Sequence, residues 1–209
     1  MPDPSTPPTP PALLEVIEES RRFGFLGPGP VEPQIAHADA FVAAVGEAPG
    51  PYLDLGSGGG LPGLVLAVRR PAGVVVLLDA MARRTEFLER AVVSLGVADR
   101  VTVVCARAEE AARSELRNAF AVVVARSFGP PAVTAECAVG FLRTGGLLVV
   151  SEPPTGSADR WDPPGLERLG LALEDVVGAE PRFARLRKIA DDERWPRRTG
   201  IPAKRPAWT

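Results

Sequence analysis

The chain has 209 residues and a formal net charge of −2, with 45% apolar and 24% charged residues. That length suits one domain with a full core, and that balance excludes a polycation, so any nucleic-acid contact must come from a local patch. No apolar run reaches membrane-spanning length, no basic-then-apolar leader opens the chain, and Cys105, Cys137 and the single His37 offer neither a disulfide framework nor a metal spacing. The expectation is a cytoplasmic, metal-free protein that acts as a monomer.

Residues 1–11 are rich in proline and read as a disordered tail. Residues 12–209 read as a single domain in three parts. Residues 12–48 form a small helical extension. Its first helix spans 12–22, with Leu13, Leu14 and Ile17 apolar and Glu15, Glu18 and Glu19 outward; a loop at 23–28 leads to a second helix over 31–45 that carries His37. These pieces pack beside the main sheet as a lid or a substrate wall. The core, 49–190, alternates strands at 52–55, 74–78, 101–105, 121–125 and 147–150 with helices at 62–70, 83–95, 109–117 and 132–142. The strand runs are continuously apolar, as in parallel strands buried on both faces. Alternation of this kind predicts a doubly wound α/β sheet. Residues 169–177 and 183–189 read as a further, antiparallel pair. Residues 191–209 form a basic C-terminal element.

The chain is organised around Tyr52-Leu53-Asp54-Leu55-Gly56-Ser57-Gly58-Gly59-Gly60-Leu61-Pro62-Gly63, a buried strand that ends in a glycine loop and runs into a helix. Glycines at such a corner accept positive φ and let the backbone approach a ligand. The helix start behind them offers free N–H groups. Gly58 to Gly63 formally satisfies G-x-G-x-x-G, the dinucleotide fingerprint. Asp54, just before the glycines, would repel a nucleotide pyrophosphate and attract the amino group of S-adenosylmethionine (SAM). The stretch resembles the SAM loop of class I methyltransferases, whose Rossmann-like fold the alternation also fits. That resemblance makes Asp54, Gly56, Ser57, Gly58, Gly60 and Leu61 candidate cofactor contacts.

Ligands of doubly wound sheets bind at the carboxyl ends of the strands. That rule aligns the glycine loop with Asp79, Ala108, Glu109 and Arg126 along one edge. Asp79 is placed to accept both ribose hydroxyls, or to serve as a turn or capping aspartate. Ala108 and Glu109 follow the third strand, where related enzymes hold the adenine, although Glu109 also suits a helix N-terminus as a charge alone. Arg126 ends the fourth strand on this edge and is a candidate cofactor contact, against a structural ion pair under the sheet edge.

Several separated stretches carry a more specific resemblance: Gly24-Phe25-Leu26-Gly27-Pro28 with His37 after it, the glycine loop with its Leu-Pro-Gly extension, and Leu78-Asp79 followed by Arg83-Arg84 and Phe87-Leu88. Then come Arg107-Ala108-Glu109-Glu110, Ala125-Arg126-Ser127-Phe128, and Trp195-Pro196-Arg197-Arg198 through Gly200, Pro202, Lys204, Arg205 and Pro206. Over residues 21–206 their order and spacing resemble the bacterial 16S rRNA guanine-N7 methyltransferases, the RsmG (GidB) family. The resemblance implies methyl transfer from SAM to N7 of one guanine in 16S rRNA, within the small ribosomal subunit. Guanine N7 presents a lone pair, so alignment and electrostatics suffice without a general base; no Cys–His or His–carboxylate dyad is evident. With that substrate implied, Arg126 is the candidate catalytic or guanine-orienting residue, since arginine matches guanine O6 or a phosphate bidentately.

In the C-terminal segment, Arg197, Arg198, Lys204 and Arg205 are the candidate RNA contacts, within a basic run that begins at Arg182. Trp195 and Trp208 are candidate base-stacking residues. Two departures from the family pattern stand out. The run Ala36-His37-Ala38-Asp39-Ala40 lacks the arginine that the family usually carries before the histidine and the asparagine shortly after it, and Ser151-Glu152 follows the fifth strand where the family usually carries lysine and glycine. Glu152 sets negative charge beside the expected active site. The alternatives are a diverged class I methyltransferase acting on another RNA or a small molecule, and a catalytically silent SAM- or RNA-binding protein. A dehydrogenase trails these.

Overall fold

A computed structural model describes residues 7–155 and 158–209. The part of the expected disordered tail over residues 1–6 lies outside the described residues. Residues 7–10 have no regular structure, yet the Pro8 carbonyl accepts a hydrogen bond from Arg69 at 3.0 Å. Helix α1 (Pro11–Arg22) and helix α2 (Glu32–Val45) form the N-terminal extension. Proline at the first or second helical position suits both helix starts.

The core follows as β1 (Tyr52–Leu55), α3 (Gly63–Arg69), β2 (Val75–Asp79), α4 (Ala82–Ser94), β3 (Val101–Cys105), α5 (Ala108–Ala111), β4 (Phe120–Ala125), α6 (Pro131–Val139) and β5 (Leu142–Glu152). A 3-10 turn (Ala158–Arg160), α7 (Pro163–Leu169), β6 (Leu171–Val177), β7 (Arg182–Lys188) and α8 (Ile201–Lys204) complete it. The seven strands form one sheet in the order β3-β2-β1-β4-β5-β7-β6. β1 to β5 pair in parallel, and β7 is antiparallel to both β5 and β6. The mostly parallel doubly wound sheet and its antiparallel C-terminal pair agree with the sequence reading.

Each sheet face has its own core. Leu13, Ile17, Phe41, Leu64 and Phe87 pack on one side with Val122 and Val124. On the other, Leu53, Leu55 and Val123 pack against Phe141, Trp161 and Leu166. The period-two alternation of strand side chains divides them. It also turns Asp54 away from Leu53 and Leu55, toward the start of α3. The reversal of strand order lies between β1 and β4, so their carboxyl ends flank the crevice where such sheets bind ligands.

Some boundaries differ from the sequence reading. The helix expected over 109–117 is only Ala108–Ala111, and the rest of that stretch is turn. Residues 140–142 leave the α6 pattern because Leu142 already pairs with Phe120 in the sheet. The short α7 falls where no helix was expected. It is capped by Asp162, whose side chain accepts from the Gly165 N–H, and ends at Gly170 in the left-handed region.

Candidate active site

The β1–α3 corner is built around Asp54, which is 1% exposed. Its Oδ2 accepts the Gly63 N–H at 2.9 Å. A Cβ at position 63 would lie 2.5 Å from that oxygen and 2.4 Å from Leu77 Cδ2, so only glycine permits the contact. Asp54 Oδ1 has no hydrogen-bond partner among the described residues. Burial pushes the carboxyl up to about 7, against the pull of the Gly63 N–H.

The loop takes positive φ at Gly56 (+76°), Gly58 (+53°) and Gly60 (+96°), a region that disfavours other residues. The amides of Gly56 and Ser57 both donate to the Leu78 carbonyl, at 2.8 and 2.9 Å. Ser57 Oγ donates to the Asp54 carbonyl at 3.0 Å. Helix α1 locks the loop from behind: Ser20 Oγ donates to the Gly59 carbonyl at 2.8 Å. Leu61 is buried against the same core.

Asp79, at the end of β2, clamps this loop. Its Oδ2 accepts the Gly58 N–H at 2.9 Å and its Oδ1 the Met81 N–H at 2.9 Å, with Arg84 Nη1 at 3.5 Å. The carboxylate therefore has a turn-forming role in the free protein. Each oxygen retains acceptor capacity.

Arg126 extends from the end of β4, its Nη2 donating to Gln34 Oε1 of α2 at 3.1 Å. After it, Ser127 takes φ +54°. That turn carries Phe128 over the glycine loop, where its Cδ2 sits 2.7 Å from the place a Gly56 Cβ would occupy. Phe128 also lines a cleft of about 520 Å³ together with Gln34, His37, Arg126, Glu152 and Arg160. One aromatic ring thus stands between the glycine loop and the cleft. His37 is held uncharged at neutral pH: burial, and then the nearby Arg126, lower it to about 4. Its Nε2 is buried without a partner among the described residues. Cys137 offers no nucleophile, because burial raises its thiol far above the ordinary range.

Glu152 does not project bare negative charge into this cleft. Its Oε2 accepts from Arg160 Nη1 at 2.6 Å and its Oε1 from Trp161 Nε1 at 2.9 Å. The sequence reading missed Arg160 and Gln34. A carboxylate flagged as out of place on a buried strand demands a cationic partner, and that demand was the available signal for Arg160. Nothing in the local pattern marked Gln34.

The remaining candidates divide. Ala108 is buried at the start of α5, but Glu109 turns toward the C-terminal segment: its Oε1 accepts the Gly200 N–H at 2.9 Å. Glu110 accepts from Thr199 Oγ1 at 3.0 Å. The C-terminal segment is a strap. Arg197 is committed to the buried Glu136, with Nε–Oε1 at 2.8 Å and Nη2–Oε2 at 2.6 Å. The expected grip of Arg197 on RNA phosphate is therefore corrected to a structural ion pair. Trp195 and Trp208 anchor the strap as well: their Nε1 groups donate to the carbonyls of Arg168 and Arg160, at 2.9 and 3.1 Å, and both rings pack partly buried against the second core. Much of the basic run is neutralised. Arg185 and Arg187 face Glu174, Lys188 bonds Asp191, and Arg194 bonds Asp192. Arg198, Lys204 and Arg205 stay exposed.

Among the described residues, no group of three His, Cys, Asp or Glu side chains is placed to hold a metal. None of their helices is long and apolar enough to cross a membrane.

A glycine loop after β1, an acid after β2 and a cleft after β4, on a sheet ordered 3-2-1-4-5-7-6, define a class I methyltransferase. The fold is shared with solved structures of low identity. The antibiotic-resistance methyltransferase Kmr superposes with a TM-score of 0.54 at 17% identity, covering 73% of this chain and 93% of that one. The cofactor-bound Rv0187 from MTB superposes at 0.60 and 21% identity, covering 88% and 92%. Residues 39–152 match the GidB family, rRNA small subunit methyltransferase G. The ribosomal RNA small subunit methyltransferase G of Syntrophomonas wolfei subsp. wolfei is 35% identical over 74% of this chain and 75% of that relative. The protein of the same name from a Roseiflexus species is 36% identical over 77% and 72%. The chain belongs to the rRNA small subunit methyltransferase G family.

Proposed function

We propose that this methyltransferase moves a methyl group from SAM to N7 of a guanine in 16S rRNA. The observation that carries the reading is a buried, unpartnered Asp54 oxygen beside three positive-φ glycines, joined through Phe128 to a cleft edged by arginine. The relatives, named for the small-subunit rRNA, point to the substrate class.

The residues fit the cofactor. Asp54 Oδ1 is an acceptor in want of a donor, and an ammonium group satisfies it. Gly56, Ser57, Gly58, Gly60 and Leu61 give a backbone floor. Asp79 holds Gly58 in place and keeps lone pairs for ribose hydroxyls. Ala108 stands at the edge where an adenine would lie, with Glu109 fixing that corner through Gly200. When bound, SAM supplies an activated methyl group on a sulfonium.

The chain's own residues then have little proton chemistry to do. Guanine N7 presents its lone pair without deprotonation, so the site must orient the base and exclude water. Arg126, held by Gln34, offers a fork to guanine O6. His37, uncharged, offers its unpartnered Nε2 to the base. Phe128 gives the ring an apolar face. In the C-terminal strap, Arg198, Lys204 and Arg205 are exposed cations available to backbone phosphates.

The test is transfer of labelled methyl from SAM to small ribosomal subunits from a strain lacking this gene. Incorporation by the wild type, lost in Arg126→Ala while SAM still binds, supports the reading. Absence of label from protein that binds SAM turns it toward another substrate or a silent binder.

A further inference from the structure

We propose that Arg160 is a substrate-recognition residue that grips a backbone phosphate of the RNA next to the nucleotide held in the cleft. This deepens the rRNA reading above and rests on it.

The argument begins with Glu152. Its side chain is 2% exposed and that of Arg160 is 35% exposed. A carboxylate that deep is costly to desolvate, and an apolar residue would fill a strand end as well. What the carboxylate accomplishes is to fix Arg160. The guanidinium is held by Glu152 Oε2 at 2.6 Å, and the Arg160 carbonyl by Trp208 Nε1 at 3.1 Å. The next residue, Trp161, is itself buried and donates to the other Glu152 oxygen at 2.9 Å. Backbone, head group and neighbour are all pinned. The rotamer freedom an arginine would lose on binding is already lost here.

A purely structural ion pair has no need to face a cavity. Arg160 does face one: it shares the lining of the 520 Å³ cleft with Arg126, His37 and Phe128. His37 carries no charge at neutral pH. Glu152 cancels one of the two guanidinium charges, and the four groups leave the cleft net positive. Flat apolar surface with excess positive charge suits a nucleotide, and the guanidinium fork matches a phosphate. Topology divides the two arginines. Arg126 follows β4, beside the glycine loop, while Arg160 follows β5, one strand further out. The inner arginine meets the reacting base and the outer one the flanking backbone.

The test uses the full-length protein and the variant Glu152→Gln/Arg160→Gln. This pair of changes removes both charges at once, strands neither, and leaves a carboxamide oxygen for Trp161. Binding to unmodified small ribosomal subunits is titrated from low to high salt, alongside SAM affinity by calorimetry and steady-state methyl transfer. The expected result is unchanged SAM affinity and a salt slope shallower by about 0.7–0.9, the value of one phosphate contact. KM for subunits should rise about ten-fold, the larger part of the loss falling on KM rather than kcat. An unchanged slope and KM, or a loss confined to kcat or to SAM affinity, would overturn the proposal and leave Arg160 as the counter-ion of Glu152. Wild-type protein that does not bind subunits at all would overturn the rRNA reading, and that failure shows in the wild-type arm alone.

Discussion

Removing the Arg197 side chain decides whether the C-terminal segment is a strap or an RNA grip. Glu136 is 0% exposed. It accepts the Arg197 backbone N–H at 3.0 Å, Nε at 2.8 Å and Nη2 at 2.6 Å. The same Nη2 donates to the Arg205 carbonyl at 2.6 Å, so one guanidinium ties two turns of the strap to α6. Arg197→Ala deletes all the side-chain bonds and leaves a carboxylate in the interior with a single amide for company. Breaking one side of a buried pair costs about 3–5 kcal/mol, a large share of a domain stability of about 5–15 kcal/mol. With a urea m-value of about 2 kcal/mol/M, the unfolding midpoint should fall by about 1.5–2.5 M. Circular dichroism across a urea series reads this directly. Glu136→Leu/Arg197→Met, which removes both charges, should recover most of the loss. The salt slope of subunit binding should match the wild type in that double variant. An unchanged midpoint in Arg197→Ala, together with a shallower salt slope in the stable double variant, would refute the strap and restore Arg197 as a phosphate contact.

Asp54 gives stability a pH dependence of unusual sign. Its folded-state value of about 7 lies above the ordinary 3.8, so the folded state holds the proton more tightly. The contribution is complete below pH about 4 and is lost as pH rises toward 7, at up to about 1.4 kcal/mol per pH unit. Asp54→Asn should flatten that segment of a urea-unfolding series, and an identical decline in the variant would contradict the assignment. The same titration should make SAM affinity of the wild type rise between pH 6 and 8, because an ammonium ligand selects the anion; flat calorimetric affinity over that range counts against the contact. Gly56→Ala meets φ +76° and Phe128 Cδ2 at 2.7 Å. The left-handed backbone alone costs about 1–2 kcal/mol, and SAM affinity should fall at least ~10-fold, which equilibrium dialysis would show. Arg126→Lys keeps the charge but loses the fork, so kcat/KM should drop about 10–100-fold with SAM affinity retained. Parallel loss of SAM binding would make Arg126 a cofactor contact first.

The sheet was legible because residues 75–78 in β2 and 120–125 in β4 are unbroken apolar runs, each separated from the next strand by a longer helix-forming stretch. The glycine loop was legible because positive φ and close approach demand glycine at fixed places, as Gly63 against Asp54 shows. The short elements were not. α7 carries only Leu166 and Leu169 on its apolar face, too few to set a period, and its Asp162 cap resembles any loop aspartate. The C-terminal strap was read as a basic patch because its central arginine is neutralised by an acid distant in sequence: Glu136 lies 61 residues from Arg197. Composition counts such charges, and only the fold pairs them. Glu152 misled for a local reason: its partner, Arg160, lies eight residues on, beyond a turn that no periodicity predicts.

The most direct test of the account is to map the modification. Small subunits from a strain lacking this gene would be incubated with the protein and SAM, and their rRNA digested and read by mass spectrometry. The account predicts one 7-methylguanosine per 16S rRNA, absent when Arg126→Ala replaces the wild type. Methylation at a different atom, or none from protein that binds SAM, would contradict the assignment of the cleft to guanine N7.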